Sequence, residues 1–171
     1  FHHGVEAYKI ADLLADNGIC GALWADWWGF KHEAYDMVQA NIAIVDQARG
    51  GKGCAIVHSD DERGIQRLNQ EAAKARAAGN KAGYDITKAR AITWITSNPA
   101  KAAGIYSETG SLVVGKNADV VLWSGDPFSV YSLAEQVFID GALTFNRSTG
   151  FGPVSDFDLG IVDPREDRVN D

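Results

Sequence analysis

The sequence holds a single methionine, Met37, and does not start with one. Its first residues, Phe1-His2-His3-Gly4, show neither a signal peptide nor an ordinary start, so the chain reads as cut from something longer. Cysteine is scarce. Cys20 and Cys54 both sit in apolar segments and read as buried free thiols, not as a disulfide framework. Neither has a charged neighbour that would lower a thiol pKa, which argues against cysteine catalysis. No apolar run approaches the roughly 18 residues of a membrane span. Basic residues are in deficit, 16 Lys and Arg against 23 Asp and Glu. The net charge of −7 and pI near 5.0 argue against a nucleic-acid partner. There is no internal repeat and no low-complexity tract. What remains is 171 residues, 46% hydrophobic, enough for one globular domain or one and a half with a sizeable core.

The apolar spacing predicts helices over 6–17 (Ala7, Ile10, Ala11 and Leu14 on one face), 33–49, 62–78 and 85–97. Asp85 is the expected cap of the last of these, and Pro99 its expected stop through Asn98. A short helical turn follows over 100–103. Apolar runs at 19–24 and 54–58 predict strands, the second apolar on both faces, as in a parallel sheet covered by helices. Beyond Gly104 the period becomes strand-like, at 110–114, 120–123, 137–139 and 143–145, with Asp140-Gly141 as a hairpin turn. From Ser155 six acids face two arginines, giving an expected acidic, surface-hugging or partly disordered tail. The layout is a β/α part over 1–104 with right-handed parallel units, short β-strands over 105–149, and a tail over 150–171.

His3 would then follow a strand remnant, and Asp60 would follow the strand at 54–58. Ligands gather at the carboxyl ends of parallel strands. An imidazole there is a common metal ligand, and a carboxylate can ligate or move a proton. Both residues also have bland readings, His3 as a helix-start histidine and Asp60 as an N-cap in competition with Asp61. His58, two residues before Asp60, shares its face and reads as packing or support behind the site. His2 should point away if His3 points in. Asp61 and Glu62 read as helix-start acids. Trp24, Trp27, Trp28 and Phe30 read either as a hydrophobic plug or as an aromatic substrate wall, with Lys31 reaching a substrate carboxylate. Asp26 is a further carboxylate at a strand end. Ser59 lacks the G-x-S-x-G elbow of a serine nucleophile, and Gly50-Gly51-Lys52-Gly53 lacks the spacing of a phosphate loop.

Six segments resemble, in order and spacing, the metal-dependent amidohydrolase superfamily. His3-Gly4-Val5-Glu6-Ala7-Tyr8-Lys9 resembles its H-x-x-E-A-Y-K segment after strand six, and His58-Ser59-Asp60 its strand-eight S-D. Thr96-Ser97-Asn98-Pro99-Ala100-Lys101 through Ile105 is similar to T-x-N-P-A-K-x-L-G-I. The segments from Gly110 to Val121, from Trp123 to Pro127 and from Val137 to Gly141 resemble G-S-L-x-x-G-K-x-A-D-x-V, W-S-G-D-P and V-x-I-D-G. Residues 27–33 further resemble the imidazolonepropionase- and prolidase-like branch.

The resemblance implies the C-terminal part of a (β/α)8 TIM barrel, about strands six to eight, followed by part of a small β-sandwich. It implies one or two divalent metal ions, zinc as a rule, with His3 as a ligand and Asp60 as ligand and general base. It implies hydrolysis of an amide, cyclic amide or dipeptide C–N bond by metal-activated water. The substrate would be a small or dipeptide-like molecule touched by Trp27, Trp28 and Lys31, with His58 behind the ligands. The family's remaining ligands would lie upstream of residue 1. The chain would therefore pair with the missing barrel half or with another copy. A non-catalytic structural or interaction module that keeps the fold is the alternative, and a tryptophan-lined sugar or peptide binder is a third. Cytoplasm and export both remain compatible.

Overall fold

The computed structural model describes residues 1–150. Strands β1 (Cys20–Leu23) and β2 (Cys54–Val57) pair in parallel, with Cys20 opposite Cys54 and Leu23 opposite Val57. The N-terminal segment runs along the free edge of β1. Phe1 N donates to the Cys20 carbonyl at 3.1 Å, and Ala22 N donates to the Phe1 carbonyl at 2.9 Å. Helices α1 (Ala11–Asp16), α2 (Asn41–Gly51) and α3 (Leu68–Lys81) pack around this sheet, and Leu23, Ile42, Val45, Ile86 and Trp94 are fully buried. Gly53 lets β2 enter beneath α2, since a Cβ there would lie 1.7 Å from the Val45 carbonyl oxygen. The fully buried Asp46 in α2 is neutralised by Arg90 at 2.8 Å and accepts the Trp94 indole N–H at 2.8 Å. A buried charge needs such partners.

Helices α4 (Lys88–Ile92) and α5 (Ser97–Ala102) close this part. Beyond them, β3 (Val120–Trp123), β4 (Ala134–Ile139) and β5 (Ala142–Asn146) form an antiparallel sheet in sequential order. Asp140 and Gly141 take φ of 50° and 80° between the paired Ile139 and Ala142, as the expected hairpin turn requires. The loop after β3 docks on the helices. Asn69 Nδ2 donates to the Pro127 carbonyl at 2.7 Å, and Lys88 pairs with Asp126.

Several expected elements are different. Cys20 and Cys54 are joined in a disulfide, and no free cysteine remains among the described residues. Parallel register sets them side by side, with Cα atoms 4.5 Å apart, and both are only half-buried. The helix expected over 6–17 is a 3₁₀ turn, Ala7–Ile10, joined to α1 by a non-helical Ile10, whose side chain is exposed. The helix expected over 33–49 starts only at Asn41, after a 3₁₀ turn at His32–Ala34, and unwinds at Ala48, Arg49 and Gly50. The helix expected over 62–78 is displaced to α3 because Asp61 Oδ1 accepts the N–H groups of Arg63 and Gly64, holding 61–64 as a turn.

Thr87, not Asp85, caps α4 by accepting Arg90 N–H at 3.1 Å. The following 3₁₀ turn, Thr93–Ile95, ends at Thr96, and Pro99 sits in the first turn of α5, where its missing N–H costs no helical bond. Residues 110–114 form no strand. Leu112, Val113 and Val114 are exposed and unpaired in a ladder. The acidic tail lies outside the described residues except for Gly150.

Candidate metal centre

Parallel pairing puts the carboxyl ends of β1 and β2 at one edge, and the N-terminal segment delivers its own residues to that edge. Asn41 of α2 fixes this delivery. Its Nδ2 donates to the Gly4 carbonyl at 2.8 Å, and its Oδ1 accepts Tyr8 N–H at 2.9 Å. Asn98 of α5 similarly donates to the Ala55 carbonyl of β2 at 2.8 Å. Both asparagines are buried, so neither bond competes with much water.

His3 and Asp60 both take left-handed backbone conformations, with φ of 55° and 56°. Such conformations are uncommon for residues with a Cβ, and they concentrate at functional sites. They turn the two side chains toward each other, and His3 Nε2 lies 2.9 Å from Asp60 Oδ1. This hydrogen bond is the first cause that holds the Asp60 carboxyl below its ordinary value. The His2 ring lies 3.9 Å from that of His3 and 4.7 Å from that of His58. Strand alternation predicts His2 facing away, but alternation applies to extended backbone and the left-handed His3 breaks it. The signal for His2 was adjacency to His3 alone.

His2, His58 and Asp60 each present a ligand atom, all within 4.8 Å of one another. His58 Nε2 is buried without a hydrogen-bond partner. Burial, and next the neighbouring His2, push the His58 pKa down to about 4, so its imidazole is neutral at neutral pH. A neutral imidazole with a buried, uncommitted nitrogen beside an ionised carboxylate is the donor chemistry of a divalent transition-metal ligand set. On these observations the residues present fit a metal ion.

Trp24 is the floor of the cluster. It is buried, stacks on His3 at 5.1 Å and on Trp27 at 5.3 Å, and donates its indole N–H to the Ser59 carbonyl at 3.2 Å. Trp27 is half-buried and meets Phe30 edge-on. Trp28 is exposed and lies near Tyr35. Lys31 is ion-paired with Glu33 at 2.7 Å, which engages the ammonium expected to reach a substrate. Asp26 is paired with Lys74, and Asp61 holds its turn. Asn41 was not anticipated as a positioning group, although a polar residue on an otherwise apolar helical face was its one visible sign.

The sequence profile of the amidohydrolase family matches residues 45–151. Amidohydrolase tasK of Hapsidospora irregularis is 29% identical over 153 residues, 85% of this chain and 14% of that protein. Imidazolonepropionase of Shewanella sp. (strain W3-18-1) is 52% identical over 40 residues, 23% of this chain and 10% of that protein. The crystal structure of an amidohydrolase from Thermotoga maritima MSB8 superposes with a TM-score of 0.72 at 32% identity. That superposition covers 85% of this chain and 36% of the other. The chain thus spans a minor part of each of these relatives.

Proposed function

The chain belongs to the amidohydrolase family, and from that premise we propose that it carries one side of a metal centre that hydrolyses a C–N bond of a small molecule. The carrying observation is the convergence of His2, His3, His58 and Asp60 at the carboxyl edge of a parallel pair. In this reading 1–104 is the closing part of a (β/α)8 barrel, about strands six to eight, and 105–149 is part of a β-sandwich. His3 and Asp60 are metal ligands, and His58 and His2 stand beside them as further donors.

A divalent ion bound here, zinc in our reading, would supply the Lewis acidity that brings the pKa of water down to about 7. The chain's own part is the proton. Asp60 is ionised at neutral pH, and His3 Nε2 lies 2.9 Å from its Oδ1. In this reading Asp60 accepts a proton from the attacking water and returns it to the leaving amine. Trp24 and Trp27 shield that exchange from bulk water on one side.

Metal content tests this directly. Chain purified without chelator and dialysed against zinc should hold close to one ion per molecule by mass spectrometry. Asp60→Asn and His3→Ala should each weaken zinc binding by about 10- to 100-fold, with circular dichroism unchanged. Folded protein that takes up no zinc, or an Asp60→Asn variant that binds it as tightly as the parent, would sink the reading and favour a non-catalytic module.

A further inference from the structure

A concavity of about 520 Å³ opens beside the metal-ligand cluster, with His58 and Ser59 in its lining. Trp27 forms another part of its wall, stacked on Trp24, which in turn lies 4.3 Å from the His58 ring. The chain after Asp60 brings two arginines, Arg63 and Arg67, to the same lining. Their backbone is pinned. Asp61 Oδ1 accepts Arg63 N–H at 2.7 Å and Gly64 N–H at 2.9 Å, and a Cβ on Gly64 would lie 2.8 Å from Asp61 Oδ2.

The acids around the concavity are already engaged. Asp26 and Glu71 share the Lys74 ammonium, and Glu71 also accepts Ala25 N–H at 2.6 Å. Asp61 holds its own turn. Among the described residues neither Arg63 nor Arg67 forms an ion pair. Two forked donors thus line a concavity that has an indole wall and runs up to His58. Guanidinium groups match a carboxylate in a planar, bidentate way that an ammonium does not.

We propose that Arg63 and Arg67 hold the free carboxylate of the substrate, which narrows its class to N-acyl amino acids and dipeptide-like amides. The proposal rests on the C–N hydrolase reading for the identity of the ligand, but its binding test does not need the metal. The substrate's acyl–nitrogen bond would lie at Asp60 while its carboxylate is clamped by the two arginines and its flat portion rests against Trp27. Clamping one end of a small amide restricts where the other end reacts.

The test uses hippurate, an aromatic N-acyl amino acid, and hippuramide, its uncharged carboxamide. Both are titrated into the full chain with excess chelator and followed by tryptophan fluorescence and calorimetry. Hippurate should bind at least about 10-fold more tightly than hippuramide, with the preference shrinking in high salt. The R63Q/R67Q double variant should lose that preference while keeping its affinity for hippuramide, and R67K should keep part of it. These side chains are exposed, and unchanged thermal midpoints would exclude misfolding.

Equal affinity for the two probes, no hippurate binding, or a double variant that still prefers hippurate would each overturn the proposal. So would inorganic phosphate binding as tightly as hippurate, since the site would then be a general anion site. Because chelator is present throughout, failure of zinc uptake by Asp60 and failure of carboxylate preference are separate results.

Discussion

His58 shows most clearly what a single side chain contributes. In the folded chain its pKa is about 4, below the roughly 6.5 of an unfolded histidine, because burial disfavours the imidazolium. The folded state therefore binds fewer protons than the unfolded state between those values. The stability that His58 contributes is complete above about 6.5 and is lost as pH falls through that window toward 4. Thermal midpoints of metal-free protein across the window should fall less steeply in His58→Gln than in the parent. Parallel curves would show that His58 is solvated in the folded state. His3, His58 and Asp60 stood out in the sequence through the family resemblance of their segments more than through strand-end position, and the structure brings the three side chains together. His2 was not legible, since the left-handed turn at His3 leaves no mark in residue type. The pairing of Lys31 with Glu33 was equally hidden, because exposed cations choose partners by local backbone geometry.

At the level of elements, apolar runs located β1, β2, β3, β4 and β5 well, while helix starts drifted. The drift has a common cause. The turn at 61–64 is held by Asp61, and the start of α4 is set by the Thr87 hydroxyl, so side-chain acceptors decide where the helical bonds begin. The stretch 110–114 shows the converse, with apolar residues exposed where no partner strand stands beside them. The disulfide was missed because two cysteines 34 residues apart look unrelated until parallel register aligns them. It closes the loop that contains α2 and ties β1 to β2 at the end away from the cluster of His2, His58 and Asp60. Chain entropy for such a loop gives about 2–4 kcal/mol, so reduction should lower the thermal midpoint by roughly 5–15 °C. A Cys20→Ser/Cys54→Ser variant should melt like the reduced chain and ignore reductant. Two thiols titrating in native, oxidised protein would contradict the staple.

Across the whole molecule, two opposed forces meet. An apolar groove of about 950 Å³ lies between the α4–α5 region and the β3–β4 face, lined by Ile95, Pro99, Val120, Val121 and Val137 among others. Covering it with a second copy would remove apolar surface from water, at about 25 cal/mol per Å². Against this stands a net charge of −7 on each chain, which keeps like molecules apart until salt or acid weakens it. The balance should therefore shift with conditions in a stated direction. In roughly 20 mM salt near pH 8 the chain should sediment mostly as a species of 18.4 kDa, and its average mass should rise with concentration in roughly 500 mM salt. The same rise should appear as pH approaches the pI of 5.0. Val121→Asp places a charge within the groove and should abolish the salt-induced association without altering the circular dichroism spectrum. A constant monomer mass in high salt, or a Val121→Asp chain that associates like the parent, would assign the groove no part in self-contact.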